Sequence, residues 1–301
     1  MAKKLIIFGG SGFVGGNLTS VATAGGWEVT IADSRPGGNV GWRQVNITDP
    51  VAVGAVIEEI HPDAVVNVAA IADVDLAEQN RELAYQVNVE GARSIAISCA
   101  ELSIPYVFFS SDAVFDGEGT GYTEADLPHP TNYYGQTKAE AEAAVLKAHP
   151  GAAVVRISLV LGYPVESGNS FFASLEGKLK EGKPLLTPTY EIRTPIDVIT
   201  LSECVLELAQ NGYAGLLHLG ATDSISRYDL SKKLAFAMGF DEGLIQAQEQ
   251  PADKPGRAPR HKNGIIDVAK AQRVLRTPLL STSETIRRAF AERPKSGALL
   301  N

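Results

Sequence analysis

Tyr134 and Lys138 stand four residues apart in Asn132-Tyr133-Tyr134-Gly135-Gln136-Thr137-Lys138. On a helix, residues at that spacing share a face, so a phenol and an ammonium lie side by side. A cation beside a phenol stabilises the phenolate and draws its pKa from about 10 toward neutrality. Such a tyrosine can exchange a proton with a carbonyl or hydroxyl oxygen. Taken alone, the pair also suits the solvated face of an amphipathic helix. Ser111 closes an apolar run upstream, where its hydroxyl can hydrogen-bond the oxygen that the tyrosine serves. A strand-end turn would select a serine as well.

A second group of residues speaks for a bound anion. Lys4 to Gly15 reads Lys4-Leu5-Ile6-Ile7-Phe8-Gly9-Gly10-Ser11-Gly12-Phe13-Val14-Gly15, and a helix-compatible stretch, Asn17–Ala24, follows. The order suits a buried strand, a tight turn and a helix N-terminus. Free N–H groups around Gly9, Ser11, Gly12, Phe13 and Val14, together with the helix dipole, favour an anion, most simply a pyrophosphate. Gly12 lets the backbone approach the phosphates, and Gly15 lets the helix pack close to the strand. Two spacings fit, Gly10-x-Gly12-x-x-Gly15 and Gly9-x-x-Gly12-x-x-Gly15. A further apolar run, Val29–Ala32, ends at Asp33, an acid placed to accept hydrogen bonds from adenosine ribose hydroxyls. Asp33 would repel a 2′-phosphate, so NAD is favoured over NADP. Arg35, two residues on, could meet that phosphate if its side chain swung in.

The elements that must position these groups alternate. Strands are expected at Leu5–Phe8, Val29–Ala32, Ala64–Val68, Tyr106–Ser110 and Ala153–Ile157. Helices are expected near Asn17–Ala24, Asp49–Glu59, Glu82–Leu102 and Asn132–Ala148. Alternation of this kind argues α/β, a doubly wound parallel sheet of Rossmann type covered on both faces. Ligands of such sheets bind at the carboxyl ends of the strands, where Gly9, Asp33, Ala69 and Ser110 fall. Beyond Gly162 the rhythm loosens. A nucleotide-binding domain over residues 1–160, rejoined by 195–220, and a smaller C-terminal substrate lobe over 161–301 are expected. Ser226 with Asp229, and Ser281 with Glu284, have the spacing of capping boxes.

Composition narrows the function. The chain has 301 residues, 45% of them hydrophobic, and a formal net charge of −8. That charge argues against a nucleic acid or an anionic membrane as partner. Cys99 and Cys204 sit in helix-like stretches and read as small buried hydrophobes. The histidines are scattered and nothing has metal-ligand spacing, so no metal is expected. Without a signal-length or membrane-spanning apolar run, a cytoplasmic enzyme is expected.

At this point the sequence resembles the extended short-chain dehydrogenase/reductases, and within them the dTDP-4-dehydrorhamnose reductase branch. The resemblance rests on Val65-Val66-Asn67-Val68-Ala69-Ala70, Val74-Asp75-Leu76-Ala77-Glu78, Glu82 to Asn88, Phe109-Ser110-Ser111-Asp112-Ala113-Val114-Phe115-Asp116-Gly117, Tyr122-Thr123-Glu124 and Asn132 to Lys138. Ser226-Arg227-Tyr228 and the stretch from Ala258-Pro259-Arg260 to Lys270 match more loosely. The resemblance implies hydride transfer between a nicotinamide and a sugar or nucleotide-sugar carbonyl. It assigns Tyr134 as the acid, Lys138 as its partner and as a contact of the nicotinamide ribose, and Ser111 as the group that positions the carbonyl. It places Ala69, Ala70 and Ile71 along the cofactor, Asn46 and Ile47 at the adenine edge, and Asp112, Arg193 and Arg260 toward the substrate. The resemblance is also compatible with a homodimer through the Glu82–Leu102 and Asn132–Ala148 helices, although the branch includes monomers.

Four positions depart from the branch pattern. Asn46-Ile47 replaces an Asp-Ile or Asp-Leu pair, Ala113 an aromatic residue, and Phe8 a threonine. Arg156-Ile157-Ser158-Leu159 replaces Arg-Thr-Ser-Trp, which removes an aromatic wall of the sugar pocket. Ala113 also stands where dehydratases of the superfamily carry a glutamate, which disfavours dehydration. An NAD-dependent epimerase remains a rival. So does a cofactor-binding regulatory subunit, such as the beta subunit of methionine adenosyltransferase, though that role would not require Ser111, Tyr134 and Lys138 together.

Overall fold

Leu5, Ile6 and Ile7 are all fully buried, which only a strand covered on both faces achieves. In the computed structural model, which describes residues 2–37, 41–165, 168–251 and 256–291, this strand is β1 (Lys4–Phe8). With it come β2 (Glu28–Asp33), β3 (Trp42–Gln44), β4 (Ala64–Asn67), β5 (Tyr106–Ser111) and β6 (Ala153–Ile157). Between them run α1 (Phe13–Ala24), α2 (Pro50–Ile60), α3 (Val74–Gln79), α4 (Arg81–Tyr85), α5 (Ala92–Glu101) and α6 (Tyr133–Ala148). Asp49 caps α2 by accepting from the N–H groups of Val51 and Ala52, with Pro50 in the first turn, where its missing N–H costs nothing.

Past β6 lie β7 (Leu159–Leu161), α7 (Phe171–Lys180), β8 (Leu185–Pro188), β9 (Ile192–Arg193), β10 (Pro195–Asp197), α8 (Val198–Asn211) and β11 (Gly215–Leu219). The described chain ends with β12 (Ile225–Ser226), α9 (Arg227–Ala237), β13 (Ile245–Gln248), β14 (Asn263–Gly264), α10 (Ala269–Val274) and α11 (Thr282–Ala291). The main sheet has seven strands in the order β11-β6-β5-β4-β1-β2-β3, every neighbouring pair parallel. The strand order reverses direction between β1 and β4. The crevice beyond their carboxyl ends is where a doubly wound sheet takes its ligand.

One face of the sheet packs under α1 and α8, burying Leu18, Leu201, Cys204 and Val205 among others. The other packs under α2, α5 and α6, burying Val53, Ile95, Cys99 and Val145. Burial pushes both cysteine thiols well up, as suits small buried hydrophobes. A separate core of Leu161, Phe172, Leu175, Leu230, Leu234 and Ile286 holds the later segments together. Both capping boxes form: Ser226 Oγ accepts from the Asp229 N–H at 2.9 Å, and the Ser281 N–H donates to Glu284 at 2.9 Å.

The structure corrects several boundaries. The expected Glu82–Leu102 helix is interrupted, with α4 passing into a π-helical turn, Gln86–Gly91, before α5. Apolar periodicity cannot register such a turn, which keeps the chain helical and adds one residue to a loop of the ladder. The short edge strand β3 carries too little apolar pattern to be read. The Pro-, Lys- and Arg-bearing stretch Ala247 to Asn263, which its composition suits to a loop, begins in a strand, Ala247 and Gln248 pairing with β8. Residues 252–255 of that expected loop lie outside the described residues. Among the described residues, no helix is long and apolar enough to cross a membrane.

Candidate active site

The glycine turn shows which of the two spacings the backbone needs. Gly9 has φ +80, in the left-handed region, and a Cβ there would lie 2.7 Å from the Ala69 nitrogen. A Cβ on Gly15 would come within 2.3 Å of the Gly9 carbonyl oxygen, so only glycine lets α1 sit this close to the turn. Gly9-x-x-Gly12-x-x-Gly15 is therefore the working motif. Gly12 is the N-cap of α1 and offers no side-chain cap, so the first N–H groups of a twelve-residue helix stay available to an anion.

Beside this turn is a cleft of about 280 Å³. Gly9, Gly12, Asp33, Asn46, Ile47, Ala69, Ala70 and Ile71 all line it. Ser34, Arg35, Val45, Val68 and Val87 line it too; of these, only Arg35 stood out in the sequence. Ser11 stands at the edge, with its hydroxyl hydrogen-bonded to Asp33 and its N–H 3.4 Å from the same carboxylate. Phe13 is buried, and Val14 packs into the core under α1. Their side chains therefore shape the turn, and only their backbone can serve a phosphate.

Asp33 is buried. Burial alone would raise its carboxyl; the Ser11 hydrogen bond, the Arg35 N–H and the Arg35 charge together outweigh that and hold it below the usual range. Arg35 Nε lies 3.3 Å from Asp33 Oδ1, and its Nη2 reaches Ser11 Oγ. The guanidinium thus lies across the acid that the sequence assigns to the ribose. The residues fit a dinucleotide: a glycine-only turn, an uncapped helix N-terminus, and an acid where a ribose would end.

Tyr134 and Lys138 belong to the first turns of α6. Asn132 caps that helix by accepting from the Gly135 N–H at 2.9 Å. Gly135 is obligatory, because a Cβ there would meet the Ala113 carbonyl oxygen at 2.0 Å. This close approach sets the start of α6 against the turn that follows Ser111. Ser111 lies close enough to the Tyr134 phenol to favour its ionised form. Its Oγ also accepts from the Ala113 N–H at 3.1 Å and meets Asp112 Oδ1 at 3.1 Å. Lys138 is buried, its Nζ 4.2 Å from the Phe108 ring centroid.

The electrostatics differ from the expectation that Lys138 draws the phenol toward neutrality. Burial pushes the Tyr134 pKa up to about 12, with Ser111 opposing it, and Lys138 is not among the charges that move it. The ammonium gives way instead: burial lowers Lys138 to about 7, with Glu142 pulling it back up. The reason is desolvation, which disfavours the charged form of both groups.

Asn88, in the π-helical turn, ties the two halves of the site together. Its Oδ1 accepts from the Ile71 N–H at 2.8 Å, and its Nδ2 donates to the Ile71 carbonyl at 3.2 Å and to Thr137 Oγ1 at 2.9 Å. It thereby fixes the cleft wall against the helix that carries Tyr134 and Lys138. Asn88 was visible only inside a resembling segment; its role depends on a turn that the sequence pattern hides.

The residues expected to meet a substrate anion are disposed otherwise. Arg193 is buried and donates to the carbonyls of Ile192, Lys262 and His261. Arg260 closes on Asp75 with contacts of 3.0 and 2.9 Å and on the Ala258 carbonyl at 2.7 Å. Asp112 is turned inward, accepting from Ser158 Oγ at 2.7 Å, with His261 Nε2 at 3.1 Å and Arg193 Nε at 3.7 Å. Asp112, Arg193 and Arg260, expected toward the substrate, thus make these contacts within the protein. All three have their polar atoms committed to anchoring the 258–263 segment and β9, and long-range pairing of this kind leaves no local trace. Among the described residues, no group of His, Cys, Asp and Glu is arranged to hold a metal ion.

The chain matches the family model described as RmlD substrate binding domain over residues 3–294, and it belongs to that family. A dTDP-4-dehydrorhamnose reductase of Mycobacterium tuberculosis is 30% identical over 296 residues, covering 96% of this chain and 93% of that protein. The probable low-salt glycan biosynthesis reductase Agl14 of Haloferax volcanii is 32% identical over 232 residues, covering 76% of this chain and 77% of that protein. A crystal structure of dTDP-4-dehydrorhamnose reductase from Bacillus anthracis in complex with NADP has a TM-score of 0.86 at 27% identity, covering 97% of this chain and all of that one. The resemblance drawn from the motifs is thus borne out along nearly the whole chain.

Proposed function

We propose that this protein is a nicotinamide-dependent reductase of a nucleotide-sugar carbonyl, of the dTDP-4-dehydrorhamnose reductase kind. The observation that carries the proposal is Tyr134 and the buried Lys138 one turn apart on a helix that Gly135 seats against the turn after Ser111 and that Thr137 and Asn88 pin to the wall of the cleft. The turn Gly9–Val14 would hold the pyrophosphate, Asp33 the adenosine ribose, and Ala69 to Ile71 the stretch toward the nicotinamide. A bound dinucleotide would supply the hydride. Ser111 orients the carbonyl oxygen by hydrogen bonding. Tyr134 donates the phenolic proton to that oxygen as negative charge develops on it. A phenol held at about 12 by burial is protonated at neutral pH, which suits the direction of reduction. Lys138, one turn on, would offer its N–H donors to the nicotinamide ribose.

NAD and NADP both remain open to such a site. Asp33 disfavours a 2′-phosphate, whereas Arg35, over half exposed, stands where it could bind one. The same family resemblance supports a homodimer through α5 and α6, which a light-scattering mass of twice the chain would bear out. The test of the function is oxidation of NADH and of NADPH against a panel of 4-keto nucleotide sugars. Turnover of at least one panel member is expected. Tight binding of either dinucleotide without turnover of any would make the chain a binding subunit instead.

A further inference from the structure

Beneath the catalytic helix lies a buried cluster of charged groups that the proposed proton transfer does not use. Glu142, one helical turn past Lys138 on α6, is buried. Its carboxylate takes both forks of Arg156 from β6, at 2.8 Å from Nε and 2.6 Å from Nη2. Ser110 Oγ, on β5, donates to the same carboxylate. Arg156 is 1% exposed and also stacks on Phe115, its guanidinium carbon 4.9 Å from the ring centroid. On β11, His218 Nε2 lies 3.5 Å from Arg156 Nη1, and His218 Nδ1 has no hydrogen-bond partner. Lys138 packs on Phe108 of β5, with Tyr134 and Glu142 one turn either side of it on α6; Ser110 of β5 and Arg156 of β6 face Glu142, and His218 of β11 lies beyond Arg156. Arg156 holds this carboxylate directly, and Lys138 stands one helical turn before Glu142. Of the other acids here, Asp112 is held by Ser158, His261 and Arg193, and Glu124 accepts from the His218 backbone N–H at 3.0 Å.

We propose that Glu142 is a positioning residue for the reaction: held by Arg156 and Ser110, its carboxylate neutralises Arg156 and keeps the neighbouring Lys138 side chain an ammonium. A buried cation with no counter-charge sheds its proton, and a second naked cation nearby hastens this. Arginine cannot give up its own proton, so the whole cost of losing Glu142 falls on Lys138. Ser110 and the bidentate fork fix the carboxylate in place. This inference rests on the reductase reading, in which Lys138 acts as an ammonium.

The test follows NADH binding by its fluorescence against pH, and kcat/KM against pH wherever a carbonyl is turned over. It compares wild type with Glu142→Gln, Arg156→Met and the double variant. The alkaline limb, where Lys138 loses its proton, is expected to move down by about one pH unit or more in Glu142→Gln, because an opposite charge has gone. It is expected to move up in Arg156→Met, where the carboxylate faces Lys138 alone. The double variant, neutral at both places, should return close to wild type. A purely structural role would weaken stability in both single variants without opposed shifts of the limb. Limbs that stay in place, or move the same way in both, would overturn the inference. If Glu142→Gln does not fold, the upward shift in Arg156→Met and its reversal in the double variant decide the matter. Should no carbonyl be reduced at all, the binding limb still tests Glu142, so the two failures are separable.

Discussion

Gly9, Gly12, Gly15 and Asp33 shape the cleft proposed for the cofactor from one strand–turn–helix–strand unit. On the other side, Asp112, Ser158, Arg193 and His261 meet from four separate segments, and the 258–263 segment is pinned to Asp75 as well. The first side relies on backbone: close approaches that only glycine permits, and N–H groups left open by a helix start. The second relies on buried charge. Its carboxylate is held down to about 2, because His261, Arg193 and Ser158 together outweigh the burial that would raise it. The comparison teaches that a site can join a part specified locally to a part specified only by tertiary contact. The two parts should therefore fail differently when a single residue is changed.

The largest effect is expected on the charged side. Asp112→Asn keeps the shape but leaves Arg193 and His261 facing a neutral amide, a loss of about 3 kcal/mol of folding free energy. Its pH dependence is specific. The folded pKa of Asp112 lies below its ordinary 3.8, so its contribution is present above that value and is lost as pH falls through about 2. Melting temperatures of wild type and Asp112→Asn should differ at neutral pH and converge between those two limits. A constant difference across that range would contradict the assignment.

On the backbone side, Gly15→Ala forces a methyl against the Gly9 carbonyl, where no flexible side chain can yield. A cost of about 2 kcal/mol is expected. It should appear as a loss of NADH affinity, read by fluorescence titration, exceeding any loss of stability, because the turn can relax only by spoiling its own N–H geometry. Equal affinity in the variant would show that the turn does not hold the cofactor. Between the two sides, Asn88→Ala removes three hydrogen bonds and leaves the half-buried Ile71 N–H without its partner. About 1 to 2 kcal/mol is expected, with KM for NADH rising more than kcat falls. A fall in kcat alone would mean that Asn88 serves the chemistry and not the cleft wall.

The same contrast explains what the sequence could tell. The alternation of strands and helices, the glycine turn and Asp33 depend on residues near one another, and the fold and the cleft lining were legible from them. Tyr134 and Lys138 were legible because one helical turn joins them. The fate of Arg193 and Arg260 was not, since a guanidinium reads alike whether it meets a phosphate or a carbonyl 69 residues away. Glu142 offered a signal, an acid four residues past Lys138, but its burial depends on Arg156 from another strand. The π-helical turn around Asn88 left no mark on the apolar pattern at all.

The most direct measurement is the rate of NADH oxidation by wild type and by Tyr134→Phe, with the same 4-keto nucleotide sugar and at saturating dinucleotide. The phenylalanine keeps the ring and removes only the proton donor. A loss of 10²- to 10⁴-fold in kcat, on the order expected for a positioned acid, with NADH affinity retained, is the predicted result. Turnover undiminished in Tyr134→Phe would contradict the assignment of Tyr134 as the acid.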